Sequence, residues 1–242
     1  MGDTEDGSRR NPFGQQIGAP VPDWTPRPKP PTTPMAGRLC RVEPLDAARH
    51  IDDMHAAFSE AADGRDWTYL SVDYIEREAY RAWLTKLGAA GDPMPHVIVD
   101  QATGKATGTA SFMRIDPVNG VIEVGHILLA PRLQRTTAAT EAMFLMMRRV
   151  FDELGYRRYE WKCDSRNAPS RAAALRLGFR FEGIFRQAVV YKGRNRDTAW
   201  FSIIDSEWPA LKRAYERWLD PANFDKAGQQ RLRLSDLTRN PG

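Results

Sequence analysis

The stretch that decides the fold covers residues 122–183 and reads IEVGHILLAPRLQRTTAATEAMFLMMRRVFDELGYRRYEWKCDSRNAPSRAAALRLGFRFEG. An apolar, strand-like run at 122–130 leads through Pro131 into a short polar segment at 134–140, and a long amphipathic helix follows at once. A second strand and a second capped helix come next. A helix N-terminus carries unpaired backbone N–H groups and the positive end of the helix dipole. This order therefore predicts a phosphate site at the first helix.

Composition sets the broad class of the chain. Its 242 residues are 42% hydrophobic and include seven tryptophans, which is ample for a buried core. The net charge of +4 suits a polyanionic ligand such as a nucleotide cofactor. The arginines are scattered among acidic residues without a reading motif, so we do not expect nucleic acid as a partner. Cys40 and Cys163 lack metal-ligand spacing; we interpret them as buried thiols and expect no metal.

Targeting signals are weak in this sequence. No apolar run approaches the ~18 residues that a membrane span needs, so we expect no membrane partner. The N-terminus lacks an apolar signal core, which favours a cytoplasmic location. The sequence leaves the oligomeric state open, a homodimer included.

The chain divides into three parts by composition. Residues 1–36 hold eight of the seventeen prolines, which predicts a disordered or extended N-terminal arm. Within the arm, Trp24 is interpreted as an exposed aromatic residue; docking of the arm on the domain is the alternative. Residues 37–220 form the predicted domain, and residues 221–242 a polar, loose C-terminal tail.

The order of elements predicts an α+β fold. A first strand is followed by two helices, at about 47–61 and 72–87, and then by three antiparallel strands between 95 and 130. The long helix at 136–154, a strand at 159–163, a helix capped by Asn167, a hairpin and a last helix complete the pattern. We therefore expect three layers, in which a mostly antiparallel mixed sheet is flanked by helices.

Residues 38–205 resemble the GNAT superfamily of N-acetyltransferases, in the branch of the ribosomal-protein alanine acetyltransferases. The family's pyrophosphate loop, Gln/Arg-x-x-Gly-x-Gly/Ala, corresponds to residues 134–139, and Thr137 stands where glycine is usual. Threonine there implies a near-helical backbone. The resemblance implies that acetyl-CoA is the acyl donor. It also implies that its diphosphate is bound by Gln134, Arg135, Thr136, Thr137, Ala138, Ala139 and Thr140.

A second family element, Asn-x-x-Ser followed by Gly-Phe, matches Asn167, Ser170, Gly178 and Phe179. The resemblance implies that Asn167 contacts the pantetheine and that Ser170 lies near the thioester sulfur. Ser170 could then return a proton to the departing thiolate. As a residue taken alone, Asn167 is fully explained as a helix N-cap. The acetyl group is expected on backbone donors at the end of the preceding strand, namely Ile127, Leu128 and Leu129.

Amine acetylation needs a proton acceptor, since an ammonium group has a pKa of about 10. Glu123 lies where many relatives carry a glutamate, and we expect it to act as the catalytic base. A solvated position or an ion pair with an arginine is the alternative. Strand alternation places His126 on the face of Val124 and Leu128, opposite Glu123. His126 is assigned to the substrate cleft as an alternative base, or else it is a packed or surface histidine.

Two further segments are candidates for substrate contacts. Trp67 and Tyr69 lie where this branch places a substrate-covering loop, although packing beneath the sheet explains them equally well. Residues 192–196 are interpreted as a solvated hairpin turn. If that turn is functional, it attracts an acidic substrate or the 3′-phosphate of coenzyme A.

The sequence therefore predicts an acetyl-CoA-dependent N-acetyltransferase in which a primary amine attacks the thioester directly. The acceptor is the α-amino group of a protein or a small amine. The alternative is a catalytically inactive acyl-CoA-binding or protein-interaction module on the same fold, supported by Thr137 and the proline-rich arm.

Overall fold

The computed structural model describes residues 9–73 and 76–239. Over these residues the strands are β1 (Arg9–Arg10), β2 (Gln16–Ile17), β3 (Met35–Ala36), β4 (Cys40–Pro44), β5 (Met94–Asp100), β6 (Ala106–Asp116), β7 (Val121–Leu129), β8 (Arg158–Asp164), β9 (Arg180–Tyr191) and β10 (Arg194–Ile204). The α-helices are α1 (Ala47–Phe58), α2 (Arg77–Ala89), α3 (Thr137–Arg148), α4 (Ala168–Arg176), α5 (Trp208–Leu219) and α6 (Leu234–Arg239). A 3₁₀ turn covers Gly64–Trp67, and a π-helical turn at Arg149–Glu153 extends α3.

One mixed sheet contains eight of the strands, in the order β3-β4-β5-β6-β7-β8-β10-β9. All neighbours pair antiparallel except β7 and β8, which pair in parallel. The predicted α+β fold, with a mostly antiparallel mixed sheet between helices, is confirmed. No helix in the described part of the chain is both long and apolar enough to cross a membrane.

Apolar residues on the two faces of the sheet build two hydrophobic cores. On β5, Val97 and Val99 belong to the core beneath α1 and α2, whereas Ile98 belongs to the core beneath α3 and α5. This alternation is the period of two expected of a strand that is covered on both sides. The α3 core is the larger, and Met143, Met146 and Met147 fill part of it from one helix.

Side-chain caps fix where the main helices begin. The Asp46 carboxylate accepts a hydrogen bond from Ala48 N at 2.9 Å and starts α1, and Asn167 caps α4. Helix α2 begins at Arg77, later than predicted. Residues 74–75, within the predicted start of that helix, lie outside the described residues.

The N-terminal arm lies against the domain. Trp24 Nε1 donates to the carbonyl oxygen of Val118 at 2.8 Å, and the Arg27 guanidinium lies 4.3 Å from the Trp24 ring centre. The interpretation of Trp24 as an exposed aromatic residue was therefore wrong. Because β3 pairs with β4, the sheet begins two residues before the predicted boundary at 37. Residues 1–8 of the predicted arm lie outside the described residues.

The C-terminal segment is packed, so the prediction of a loose tail was wrong for residues 221–239. Leu234 on α6 is fully buried in the α3 core, and the Thr238 hydroxyl donates to the carbonyl oxygen of Arg176 on α4 at 3.1 Å. The Asn223 side chain donates to Trp218 O at 3.0 Å and accepts from Leu232 N at 2.8 Å. Phe224 and Leu237 pack against the same core, so three apolar side chains and a buried amide order this polar segment. Residues 240–242 of the predicted tail lie outside the described residues.

Candidate active site

Strands β7 and β8 diverge at the centre of the sheet. They pair in parallel only from Val121 with Arg158 to Val124 with Trp161, and both strands continue for several residues beyond that point. The carboxyl halves of the two strands therefore enclose a wedge in which they do not hydrogen-bond to each other. Helices α3 and α4 follow these strands in the chain.

A β-bulge shapes the wall of this wedge. Thr109 pairs with Leu128 and Ser111 with Gly125, so two residues of β7, His126 and Ile127, lie opposite one residue of β6. His126 accordingly has a φ of 48°, in the left-handed region.

The bulge resets which face each β7 side chain occupies. Val124 packs in the α3 core, whereas Leu128 packs in the α1 core on the other face. The prediction that His126, Val124 and Leu128 share one face was therefore wrong, because strict alternation does not continue through a bulge.

A cleft of about 540 Å³ opens beside the wedge. Of the residues that the sequence assigned to the site, it brings together Glu123, His126, Ile127, Tyr69, Asn167 and Ser170. The sequence analysis missed several other residues of its wall, among them Arg114, Trp161, Lys162, Phe185 and Trp200.

Glu123 is a buried carboxylate held by two cations. Both of its oxygens accept hydrogen bonds from Arg114 Nη1, at 2.9 and 2.8 Å, and Lys162 Nζ lies 2.8 Å from Oε2. Its side chain is only 3% exposed. Both carboxylate oxygens are therefore already engaged by cations. The structure thus shows the ion pair that was the alternative interpretation of this residue.

His126 offers a proton acceptor in the same cleft. Burial, with a further contribution from the Arg114 guanidinium, lowers the pKa of His126 below its ordinary value of 6.5. The imidazole is therefore uncharged at neutral pH. Its Nδ1 is buried and has no hydrogen-bond partner among the described residues. His126 also lines the cleft, and an uncharged imidazole in the cleft wall can take up a proton.

Ser170 is placed by Trp161 and Asn167. Trp161 Nε1 donates to Ser170 Oγ at 3.0 Å, and Asn167 Oδ1 accepts from Ser170 N at 3.1 Å. An indole nitrogen only donates, so this contact leaves the hydroxyl proton of Ser170 able to donate elsewhere. The Cys163 thiol is also a hydrogen-bond partner of Ser170, and burial raises the pKa of that thiol.

The start of α3 presents fewer free amides than predicted. Four of the N–H groups between residues 134 and 140 are already bonded within the turn, namely those of Gln134, Thr136, Ala139 and Thr140. Over residues 9–73 and 76–239, no acceptor is bonded to the N–H groups of Arg135, Thr137 and Ala138. Of the amides at 135–140 that were predicted to bind phosphate, those of Thr136, Ala139 and Thr140 are thus already occupied.

The unusual threonine fits this turn. Arg135 has a φ of 61°, so the left-handed residue of the loop lies two positions before Thr137. Thr137 is the first residue of α3, in the near-helical backbone that the sequence implied, and glycine is not required there. Thr140 is buried and accepts from Arg176 Nη1 at 3.1 Å, so its side chain faces away from the loop surface.

Residues 66–73 pass over the cleft, and we call them the roof segment. Tyr69 lines the cleft and donates from its hydroxyl to the Arg166 carbonyl oxygen at 3.1 Å. Trp67 instead packs edge-on against Phe58 and Tyr80 in the α1 core and is 3% exposed. The assignment of Trp67 to the substrate site was wrong, because its ring completes this aromatic cluster.

The turn between β9 and β10 holds the roof segment. Lys192 Nζ donates to the Trp67 carbonyl oxygen at 2.8 Å and pairs with Asp73 at 2.6 Å, while Arg194 Nη2 donates to Thr68 O at 3.1 Å. Residues 193–195 are exposed, in agreement with the interpretation of residues 192–196 as a solvated hairpin turn, but the Lys192 and Arg194 side chains contact the roof segment. The strands that lead to this turn line the cleft through Val189 and Arg196.

The fold and the divergent β7–β8 pair define a class of acyl-transferring enzymes, and comparison with known proteins gives the family. The sequence model described as "Acetyltransferase (GNAT) domain" matches residues 40–180. The chain belongs to this family, and the predicted resemblance is confirmed: it is a GNAT N-acetyltransferase.

Individual relatives agree with the family. A crystal structure of a GCN5-related N-acetyltransferase from Brucella melitensis is 52% identical, with a TM-score of 0.88, covering 91% of this chain and 100% of that one. An uncharacterized N-acetyltransferase p20 from Bacillus licheniformis is 30% identical over 125 residues, 52% of this chain and 70% of the relative. The putative ribosomal N-acetyltransferase YdaF from Bacillus subtilis is 28% identical over 109 residues, 45% of this chain and 59% of the relative.

Proposed function

We propose that this enzyme acetylates the α-amino group of a protein N-terminus, by direct attack of the amine on the thioester of acetyl-CoA. One observation carries the proposal. The cleft brings an uncharged histidine, His126, and a serine hydroxyl, that of Ser170, to the open end of the β7–β8 wedge. Neither cysteine is placed to serve as a nucleophile, because burial raises the pKa of both thiols.

The residues around the wedge fit acetyl-CoA as the donor. The free amides of Arg135, Thr137 and Ala138 lie at the positive end of α3, where a diphosphate is favoured. The pantetheine would lie along β7 at residues 127–129, which do not pair with β8. Asn167 and Ser170, at the start of α4, face the thioester end of that path.

His126 is the proton acceptor in the mechanism that we propose. The amine nitrogen forms a bond to the acetyl carbon, the carbon–sulfur bond breaks, and the amine proton passes to His126. Ser170 gives its hydroxyl proton to the departing thiolate and recovers one from the imidazolium through water. The products are then an amide and a free thiol, and the enzyme is unchanged.

In this mechanism, Glu123 holds charged side chains in place and does not accept the amine proton. It holds Arg114 and Lys162 in the wall of the cleft, and both of its oxygens are occupied by these contacts. If Glu123 were the base, as the sequence suggested, Glu123→Gln would abolish acetylation. Under our proposal, His126→Gln removes most of the activity at neutral pH, whereas Glu123→Gln retains a measurable rate with a changed pH profile.

The choice of an α-amino group rests on acidity and on the relatives. An α-amino group has a pKa of about 7.7–8.0, against about 10.4 for lysine. The neutral fraction near pH 7 is therefore much larger for the α-amino group. A single imidazole base suits the more acidic amine. A relative is described as a putative ribosomal N-acetyltransferase, which is in keeping with a protein N-terminus as acceptor. A cytoplasmic location, where such acceptors are made, is part of the proposal.

A panel of acceptors tests the proposal. Purified enzyme is given acetyl-CoA with a peptide that has a free α-amine, the same peptide with a blocked α-amine and a free lysine, or a small alkylamine. We expect thiol release with the first peptide, and mass spectrometry should place the acetyl group on its N-terminus. Turnover with the alkylamine alone would contradict the acceptor. The panel is then extended to peptides of other sequences. Binding of acetyl-CoA without turnover on any of these amines would support the inactive module instead.

A further inference from the structure

One wall of the cleft is apolar and is built by the last two strands of the sheet. Phe185 of β9 stacks on Trp200 of β10, with the ring centres 4.4 Å apart and the ring planes 25° from parallel. Both rings line the cleft, and so does Val189 of β9. Phe185 is 54% exposed and Val189 38% exposed, so much of this apolar surface is accessible. We call Phe185, Val189 and Trp200 the apolar platform.

A bulge in β9 gives the platform its shape. Phe185 pairs with Thr198 and Val189 with Arg196, so three residues of β9 lie opposite one residue of β10. The bulge is fixed by a hydrogen bond of 2.7 Å from its central N–H group to the Asp197 carboxylate. Thr198 and Arg196 are alternate residues of β10 and both line the cleft. Their partners on β9 therefore face the cleft as well.

The platform lies within reach of a peptide whose amine is at His126. The strands between them are ordered β7-β8-β10-β9, so β9 is three strands away from His126 on β7. Neighbouring strands are about 4.8 Å apart, which makes this separation about 14 Å. An extended peptide advances about 3.3–3.6 Å per residue, so about four residues cover that distance. A small alkylamine is too short to reach the platform.

The position of the platform favours an acceptor chain over a second copy of the enzyme as its occupant. The platform belongs to the same cleft of about 540 Å³ as His126 and Ser170. Tyr69 and Leu70 of the roof segment line that cleft too. A cavity of this size under a roof admits an extended chain more readily than the surface of a folded protein.

We propose that the apolar platform selects acceptors that carry a large apolar side chain within about the first five residues. The inference rests on the proposed function, because it assumes a polypeptide acceptor whose amine reaches His126. It adds the class of N-terminus that the enzyme prefers. Burial of apolar surface against Phe185 and Val189 supplies the preference, and a hydrophobic pocket of this kind discriminates by about 10- to 200-fold.

A peptide scan tests the preference. One phenylalanine is placed in turn at the first five positions, and at the eighth, of a peptide otherwise made of glycine and serine. At one or more of the first five positions it should raise kcat/KM about 10-fold over serine, and at the eighth it should have no effect. In Phe185→Ala this gain should fall to about twofold or less, with the Kd for coenzyme A unchanged.

Phe181→Ala is the matched control. Phe181 is also on β9 and is 46% exposed, but its ring packs against Phe201 of the α3 core. This variant should keep the full gain. Val189→Ser is a second variant within the platform and should reduce it. Equal kcat/KM for every peptide, or a gain that survives Phe185→Ala, would overturn the inference.

Two further measurements separate this inference from its rivals. If sedimentation shows a dimer that Phe185→Ala converts to monomers, the platform is a subunit contact and the inference is wrong. Calorimetry with the same peptides acetylated at the α-amine measures binding without turnover, and Phe185→Ala should weaken binding of the phenylalanine peptide only. That result in an enzyme that acetylates no amine would overturn the proposed function and leave the selectivity of the platform standing.

Discussion

Replacing Thr137 with proline removes one of the three free amides at the start of α3 and leaves the helix intact. Proline lacks an N–H group and is well tolerated at the first position of a helix, where that N–H has no helical partner. The residue before it, Thr136, is extended, with φ −90° and ψ 163°, which a residue preceding proline prefers. The substitution therefore acts on the phosphate site without a helix penalty.

The expected loss of affinity follows from one hydrogen bond. A hydrogen bond to a charged group contributes about 1.5–3 kcal/mol. Since about 1.4 kcal/mol corresponds to a tenfold change in Kd, the Kd for coenzyme A should rise by about 10- to 150-fold. The free energy of unfolding should change by less than about 1 kcal/mol, because proline also restricts the unfolded chain.

Titration calorimetry with coenzyme A and urea unfolding measure the two quantities. Thr137→Val is the matched control, since it keeps the amide, removes the hydroxyl and preserves the side-chain shape. Its affinity should stay within about threefold of the unmodified enzyme, which is less than 1 kcal/mol. If Thr137→Pro binds coenzyme A as well as the unmodified enzyme does, the amide is not a phosphate donor. If Thr137→Val loses as much affinity as the proline variant, the hydroxyl group is responsible instead.

Three further predictions concern stability and the roof segment. Glu141 accepts the backbone N–H groups of residues 38, 39 and 40 at 3.0, 2.7 and 2.9 Å, so Glu141→Gln should lower the urea unfolding free energy by about 2–3 kcal/mol. Burial lowers the pKa of His96 to about 4 in the folded protein, from 6.5 in the unfolded chain. The stability that the uncharged ring contributes is therefore fully present above pH 6.5 and is lost as the pH falls towards 4. That loss should reach about 3 kcal/mol in urea titrations, and His96→Gln should flatten the pH dependence. Lys192→Met removes the contacts with Asp73 and the Trp67 carbonyl oxygen. The acceptor KM should then rise by about 3- to 10-fold, while the Kd for coenzyme A is unchanged. Equal changes in both constants would contradict a role of the roof segment in acceptor binding.

Local signals in the sequence predicted most of the fold. Asp46 and Asn167 are caps whose effect extends over only three residues, and the helical spacing of α3 needs no tertiary information. The arm was harder, because the docking of Trp24 depends on Val118 and Arg157, which are distant in sequence. In the same way, nothing in the composition of residues 221–239 shows that Leu234 enters the core.

The site was predicted in position but not in detail. The face of His126 depends on a bulge that is defined by pairing with β6, and a single strand carries no sign of it. Trp67 and Tyr69 are two residues apart in a loop, where side-chain direction is set by packing. One signal was available and was missed: Glu160, Lys162 and Asp164 occupy alternate positions of β8, which indicates a charged face on an otherwise apolar strand.

The claim on which the mechanism depends is that the amides at the start of α3 bind a diphosphate. The most direct measurement is a titration of isotope-labelled enzyme with coenzyme A, followed through the backbone amide signals. The N–H protons of Arg135, Thr137 and Ala138 should move strongly downfield with coenzyme A and should not move with pantetheine, which lacks the diphosphate. Binding of coenzyme A that leaves these three signals in place would contradict the claim.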